Sequence, residues 1–95
     1  MTGKQRASLR KMANTIPALY QIGKDGISEN VIKQLDDALE ARELIKVHVL
    51  ESAMLTTREA ADECAEALHA ECIQTIGGKF VLYRQSRENP QIVLD

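Results

Sequence analysis

The tetrapeptide Gly23-Lys24-Asp25-Gly26 has the residue types and spacing best suited to a ligand. Glycine has no Cβ, so two glycines three positions apart let the backbone turn sharply and let a ligand approach it closely. Lys24 adds a positive charge, and the N-terminus of the predicted helix that follows attracts anions through its free N–H groups and dipole. The spacing therefore predicts a phosphate-binding loop. A plain turn at the start of a helix would give the same tetrapeptide.

The hydrophobic pattern predicts the elements that would position this loop. Apolar residues recur at spacings of three and four from Ile27 to Arg42, which predicts a helix capped by Ser28. Alternation over Leu44–Leu50 predicts a strand. A first helix is predicted over Lys4–Asn14 and a first strand over Ile16–Ile22. The capping box Thr56-x-x-Glu59 opens a third helix, whose apolar stripe continues to Cys72. The remaining predicted strands are Ile73–Ile76 and Lys79–Arg84, joined by Gly77-Gly78, and a short strand over Ile92–Leu94. This α-β-α-β-α-β-β order predicts an α/β (α+β) fold, with helices packed on a mixed four-stranded sheet.

Length and composition predict one globular domain over residues 1–95, because 44% of the residues are hydrophobic and 27% are charged. No apolar run approaches the roughly 20 residues that cross a bilayer. The first residues, Met1–Arg6, have no apolar segment behind them that could serve as a signal peptide. The sequence therefore predicts a cytoplasmic protein with no membrane partner. We expect a monomer, since the chain has no long apolar seam.

Charge is segregated along the chain, although the net charge is only −2. Residues 1–24 carry five basic residues and no acid (+5), residues 25–72 carry 12 acids and 4 bases (−8), and residues 73–95 carry three bases and two acids (+1), which together give −2. If the fold brings the first and last segments together, one face is basic and the opposite face acidic. Local potential, rather than net charge, governs attraction of a polyanion.

No set of side chains predicts catalysis. The serines lack a nucleophile elbow, and Asp36 and Asp37 would point about 100° apart on a helix, which does not suit a shared proton. The glycine-rich loops of nucleotide-binding enzymes are absent. Cys64, His69 and Cys72 cannot converge on zinc from one helix, because His69 would lie about 140° around the axis from Cys64. The sequence predicts a binding module that is not an enzyme, with no catalytic residue, metal or cofactor.

The aromatic residues are too few for a platform of stacked bases. Phe80 and Tyr83 are three apart on a predicted strand, so they face opposite sides. We expect one in the core and the other in a surface groove with Lys79 or Arg84. His48 is predicted to be a solvent-facing strand residue.

Four blocks of the sequence resemble the CRM (chloroplast RNA splicing and ribosome maturation) domain in its single-domain bacterial form, the YhbY-like proteins. The blocks are Thr2-Gly3-Lys4-Gln5-Arg6 with Leu9-Arg10, Gln21-Ile22-Gly23-Lys24-Asp25-Gly26, Ala38-Leu39-Glu40-Ala41-Arg42-Glu43-Leu44-Ile45-Lys46-Val47, and Val81-Leu82-Tyr83-Arg84. The resemblance covers nearly the whole chain, and four ordered blocks are more specific than any one of them.

The resemblance implies a KH-like GxxG loop and a topology similar to that of the C-terminal domain of bacterial translation initiation factor 3. It also implies RNA binding without catalysis. The implied partners are ribosomal RNA of the large (50S) subunit, or its precursor, and pre-50S particles, and the implied role is assistance of large-subunit assembly. The candidate RNA-binding residues are Gly23, Lys24, Asp25, Gly26, Lys4, Arg6, Arg10, Lys11 and Arg84.

The sequence departs from the family near the fourth strand, where members tend to carry a basic or polar residue directly after the first glycine. Here that position is Gly78, and the charge comes one residue later at Lys79. A shift of one residue on a strand sends the side chain to the other face, so Lys79 is not predicted to contact RNA.

A second hypothesis remains open: a protein-interaction module whose acidic helices bind a basic ribosomal partner. Charge reversal distinguishes the two hypotheses. Changing Lys24 should abolish target binding in the first, whereas changing Asp36, Asp37 and Glu40 should abolish it in the second.

Overall fold

The computed structural model describes residues 1–94 and confirms the predicted order of elements. The helices are α1 (Gly3–Ala13), α2 (Glu29–Arg42) and α3 (Thr57–Leu68), and the strands are β1 (Tyr20–Ile22), β2 (Leu44–Val49), β3 (Glu71–Ile76) and β4 (Lys79–Tyr83), with one turn of 3₁₀ helix over Glu51–Ala53. The hydroxyl groups of Thr2, Ser28 and Thr56 cap the three α-helices, and each accepts a backbone N–H from the first turn of its helix. Within these residues, no helix is long and apolar enough to span a membrane.

The strands form one mixed sheet in the order β1-β2-β4-β3. β1 runs parallel to β2, and β4 pairs antiparallel with both β2 and β3. The predicted hairpin between β3 and β4 is confirmed. Gly77 has a φ of +57 and Gly78 has no positive φ, the pattern of a type II′ turn that suits the twist of antiparallel strands.

Helices cover both faces of the sheet, and this separates the charged segments. Leu35, Leu39 and Leu68, from α2 and α3, pack on one face. Leu9 and Ala13 of α1 pack on the other face, where Ile92 and Leu94 also pack, so the first and last segments share a face, which is the condition for the predicted basic face. The acid-rich helices therefore lie across the sheet from the basic helix.

The first strand is shorter than predicted. The N–H of Ile16 still bonds to the carbonyl of Ala13, so the chain continues to wind after α1 ends. Pro17 follows and has no N–H to donate to a sheet. Pairing with β2 therefore begins only at Tyr20.

The third helix ends earlier than its apolar stripe predicts. His69 adopts a left-handed conformation with a φ of +54, which stops α3 at Leu68 and places Cys72 on β3. No glycine marks this helix end, so the sequence gives little warning of it. The short strand predicted over Ile92–Leu94 is also wrong, because this segment is irregular.

Phe80 and Tyr83 face opposite sides of the sheet, as predicted, but both are buried. Phe80 packs under α2 and α3, and Tyr83 packs under α1. The prediction that one of them lines a surface groove is wrong, because helices cover both faces at their positions.

Candidate nucleic-acid interface

The Gly23–Gly26 loop is a tight turn directly after β1. The N–H of Gly26 donates to the carbonyl oxygen of Gly23 over 2.8 Å, which closes the turn. Gly26 has a φ of +66, a conformation that is costly for a residue with a Cβ. Lys24 and Asp25 occupy the two central positions with exposed side chains. The turn thus presents one cation and one anion to solvent, beside backbone that carries no side chain at Gly26.

The segment after β2 forms a wall behind this loop. The N–H of Leu50 donates to the carbonyl oxygen of Ile22 over 2.9 Å. A Cβ on Gly23 would lie 3.3 Å from Cδ1 of Leu50 and 3.7 Å from Oγ of Ser52. Close packing therefore favours glycine at position 23, whereas backbone conformation favours it at position 26. Sequence reasoning missed Leu50 and Ser52, because their approach depends on the parallel pairing of β1 with β2.

The N-terminus of α2 lies near the loop but is partly satisfied by its own residues. Ile27 and Ser28 separate Gly26 from the first helical residue, Glu29. The Ser28 hydroxyl accepts the N–H of Val31 over 3.2 Å, and the carboxylate of Glu29 complements the helix dipole. These groups weaken the attraction of this helix end for a further anion. Lys24 is therefore the principal positive group of the loop.

The basic residues of the first helix divide into two sets. Three are exposed and form no ion pair with any of residues 1–94: Lys4, Arg10 and Lys11. Arg6, in contrast, donates to the carbonyl oxygen of Cys72 over 2.6 Å and pairs with the carboxylate of Glu71 over 3.2 Å. Arg6 therefore ties α1 to the edge strand β3, and its charge is already engaged.

Arg84 lies at the opposite end of the sheet from the loop. Position 84 follows Tyr83, which pairs with the first residue of β2, whereas the loop follows Ile22, which pairs with the last residue of β2. Those two ends are about 17 Å apart along the strand. The Arg84 guanidinium donates to a carboxylate oxygen of Asp36 over 2.7 Å and to the carbonyl oxygen of Leu68 over 3.0 Å. The structure does not bring Arg84 to the loop, and its contacts join α2 to the end of α3.

Sequence reasoning missed the role of two acidic residues at that same end. Glu40 and Glu43 accept backbone N–H groups from residues 86–92, and we call this set of contacts the C-terminal anchor. Glu43 is fully buried and accepts from Ser86 at 2.7 Å, Gln91 at 2.8 Å and Ile92 at 2.7 Å. Nothing in the acid-rich pattern of α2 distinguishes these two carboxylates from solvated ones.

The pKa values of the anchor carboxylates reflect these contacts. Burial by itself would raise the pKa of Glu43, but the three backbone N–H donors outweigh it and lower that pKa below its ordinary 4.5. The hydroxyl of Ser86, followed by the N–H groups of Arg87 and Glu88, lowers the pKa of Glu40 to about 2. Both side chains are therefore held as carboxylates.

The cysteines do not form a metal site in the described part of the chain. Burial raises the pKa of the Cys64 thiol to about 12, so this cysteine is a packed apolar residue. Cys72 lies on β3 rather than on the same helix. No group of three His, Cys, Asp or Glu residues among positions 1–94 could hold a metal ion.

Comparisons with known proteins agree with this architecture. A family model described as the CRS1 / YhbY (CRM) domain matches residues 1–84. The "Probable RNA-binding protein YqeI" of Bacillus subtilis is 44% identical over 94 residues, which cover 99% of this chain and 98% of that protein. An "RNA-binding protein" of Haemophilus influenzae is 32% identical over 88 residues, covering 93% of this chain and 89% of that protein. The solution structure of the hypothetical protein SAV1595 from Staphylococcus aureus superposes with a TM-score of 0.78 at 47% identity, and the match covers 100% of this chain and 99% of that one.

Proposed function

This chain belongs to the CRS1/YhbY (CRM) domain family, and we propose that it binds RNA through the Gly23–Gly26 loop. It is a non-enzymatic member of a family whose relatives are named for RNA binding. We take residues 1–95 to act as a single domain.

The observation that carries this proposal is the exposure of the Lys24 side chain. Its side chain is exposed at the centre of a tight turn, and it forms no ion pair with any of residues 1–94. Gly26 places no side chain in the way, so a phosphate can approach the backbone and the ammonium group together. The three exposed cations of α1 add longer-range attraction for a polyanion.

Charge reversal in the loop tests the proposal. Lys24→Glu should weaken binding to a fluorescent RNA, measured by anisotropy. It should also make log Kd less steep against log salt, by about 0.7 for each phosphate of a single strand that the protein no longer neutralises. Arg42→Glu is the matched control, because it makes the same charge change at an exposed site at the far end of α2. Equal weakening in both variants would indicate a nonspecific effect of net charge, and an unchanged affinity in Lys24→Glu would refute the loop contact.

We propose further that the RNA is large-subunit ribosomal RNA or its precursor, and that the protein assists 50S assembly in the cytoplasm. This finer proposal is supported by the resemblance of the four sequence blocks to the YhbY-like proteins. Sedimentation of tagged protein from a lysate tests it. We expect the wild type to co-migrate with large-subunit particles and Lys24→Glu to shift toward the top of the gradient. Wild type confined to the top at low salt would contradict the assembly role.

Lys24→Glu is a better loop variant than substitution of either glycine. A side chain at position 23 would press on Leu50, and one at position 26 would be strained by the positive φ. Weak binding by a glycine variant would therefore be hard to separate from distortion of the loop.

An exposed acidic surface on α3 favours the alternative hypothesis, a protein-interaction module. Glu63 and Glu66 of α3 are exposed on the side of the sheet opposite α1. They are better probes than Asp36 or Glu40, whose carboxylates bind Arg84 and the C-terminal segment. If Glu63→Lys/Glu66→Lys abolishes co-sedimentation and Lys24→Glu does not, a basic protein is the partner.

A further inference from the structure

One row of the sheet lies beyond the cover of α1, beside the Gly23–Gly26 loop. It consists of one residue from each strand: Gln21, His48, Lys79 and Ile76. The register pairs Gln21 with His48, His48 with Lys79, and Lys79 with Ile76, so the four side chains point to the same face. Since Ile22 is buried under α2 and α3, its neighbour Gln21 points to the α1 side. We call these four residues the open row.

The open row is accessible and free of acid. Gln21 and Lys79 are exposed, the exposed fraction of Ile76 is 61%, and His48 is half-buried. Leu9 and Ala13 of α1 pack instead on the rows nearer the other end of the sheet. With neighbouring strands about 4.8 Å apart, the row extends for about 14 Å across the sheet.

Gly78 lies beside the His48 ring and places no side chain against it. A Cβ at this position would lie 3.5 Å from both Cδ2 and Nε2 of the ring. The Cβ of any other residue at position 78 would therefore contact the imidazole, and a larger side chain would cover the surface beside it. Lys79 pairs with His48, so its side chain belongs to the open row, on the strand next to His48. The sequence alone does not predict a contact between Lys79 and RNA, and this place beside His48 supports one.

We propose that the open row binds the bases of a single-stranded RNA segment whose phosphates bind the Gly23–Gly26 loop. This inference rests on the proposed RNA-binding function and extends it to the class of RNA. Gln21 is only two residues from Gly23, so one strand can contact the loop and the row together. Histidine stacks on unstacked bases, amide and ammonium groups bond to base edges, and Ile76 offers an apolar contact.

Charge and chemistry favour a single strand over a duplex as the occupant. Lys79 and the nearby half-buried Lys46 give this half of the face positive charge, which suits a polyanion. A duplex would present phosphates and sugars to the row, with its bases already stacked and paired. Ring stacking and base-edge contacts at the row are available only to bases that are free.

The test compares a fluorescent unstructured RNA of about 12 nucleotides with the same strand in a duplex. Wild type should bind the single strand more tightly. His48→Ala should weaken single-strand binding about tenfold, within the range found when an aromatic stacking partner is removed, and should change duplex binding little. Lys79→Gln, an exposed substitution that leaves the core intact, should also weaken single-strand binding, whereas Arg42→Gln should not.

Three outcomes would separate failure of the open row, of the single-strand assignment and of the loop contact. If Lys24→Glu weakens RNA binding while His48→Ala and Lys79→Gln bind like wild type, the loop contact stands and the open row has no role. If wild type binds duplex as tightly as single strand, the assignment of single-stranded RNA is wrong. If Lys24→Glu, His48→Ala and Lys79→Gln all bind RNA like wild type, the proposed RNA contact of the loop is wrong as well.

Discussion

The two ends of the sheet use the same kinds of charged residue for opposite purposes. At the loop end, the side chain of Lys24 is exposed and forms no ion pair within residues 1–94. At the other end, Glu43 is fully buried and accepts three backbone N–H groups, and the exposed fraction of the Arg84 side chain is only 14%. At the loop end the charge of Lys24 is available to a ligand, whereas at the other end Glu43 and Arg84 bind other parts of the chain.

This comparison teaches that charge identifies a binding residue only together with the partners that the charge already has. Lys24 and Arg84 are both basic residues in blocks that resemble the CRM family. Arg84 holds the side-chain and main-chain oxygens of Asp36 as well as the carbonyl of Leu68, so a ligand would have to displace these contacts. A ligand that binds Lys24 would have to break no ion pair within residues 1–94.

At the end of the sheet opposite the loop, we expect the largest effect from removing the buried carboxylate of the C-terminal anchor. Glu43→Ala leaves the N–H groups of Ser86, Gln91 and Ile92 without their acceptor. The hydrogen bond from Ser86 is buried, and those from Gln91 and Ile92 are partly buried. Since a buried donor without a partner costs about 1–3 kcal/mol, we expect the free energy of unfolding to fall by about 2–3 kcal/mol. Urea denaturation, followed by circular dichroism, measures the change.

Two controls make that result specific. Glu43→Gln keeps one acceptor oxygen and a similar shape, so it should cost less than Glu43→Ala. Glu66→Ala removes an exposed carboxylate and should stay within about 0.5 kcal/mol of wild type. If Glu43→Ala were no worse than Glu66→Ala, the C-terminal anchor would contribute nothing to stability.

Acid should weaken the same end of the molecule. The pKa of Glu40 falls from its ordinary 4.5 to about 2 in the folded protein, and that of Glu43 is also lowered. A carboxyl whose pKa is depressed by folding stabilises the native state above its unfolded pKa, and this stabilisation is lost as pH falls. For Glu40, we expect the loss between about pH 5 and pH 2.

Glu40→Gln provides the measurement for this prediction. The urea midpoint of the wild type should exceed that of Glu40→Gln at pH 6, and the difference should shrink as the pH approaches 3. A difference that stays constant over this range would show that the Glu40 carboxylate gains nothing from its hydrogen bonds with residues 86–88.

The sequence predicted most of the fold because its local signals agree with one another. The hydroxyl caps, the period-2 alternation over β2 and the Gly77-Gly78 turn each specify one element and its boundary. The errors fall where a local signal is missing. His69 ends α3 in a left-handed conformation without a glycine, and residues 16–19 have the composition of a strand but no partner strand.

The candidate site was predictable to a smaller extent. The glycines and Lys24 reveal a turn with a charge because the turn is local in sequence. The wall formed by Leu50 and Ser52, the open row and the partners of Arg84 all depend on strand register or on contacts between distant elements. The sequence alone does not distinguish a glutamate on the exposed face of a helix from Glu43, which anchors the C-terminal segment.

Arg84→Lys sharpens the comparison between the two ends without changing the charge. The Arg84 guanidinium makes two bonds through one terminal nitrogen and one through the other, to oxygens on both α2 and α3. A lysine ammonium cannot reproduce this planar geometry, so we expect a loss of about 1–2 kcal/mol in the free energy of unfolding. Lys24→Arg, which alters an exposed residue, should change stability by less than about 0.5 kcal/mol.

RNA affinity should not follow stability in this pair of variants. At a temperature where both proteins are folded, Arg84→Lys should bind RNA like wild type, because its contacts lie about 17 Å along the sheet from the loop. Lys24→Arg should also bind, since it retains the positive charge at the loop. A selective loss of RNA affinity in folded Arg84→Lys would restore Arg84 to the RNA-binding surface that the sequence predicts. It would also show that internally paired charges still contact the ligand, which would end the distinction between the two ends.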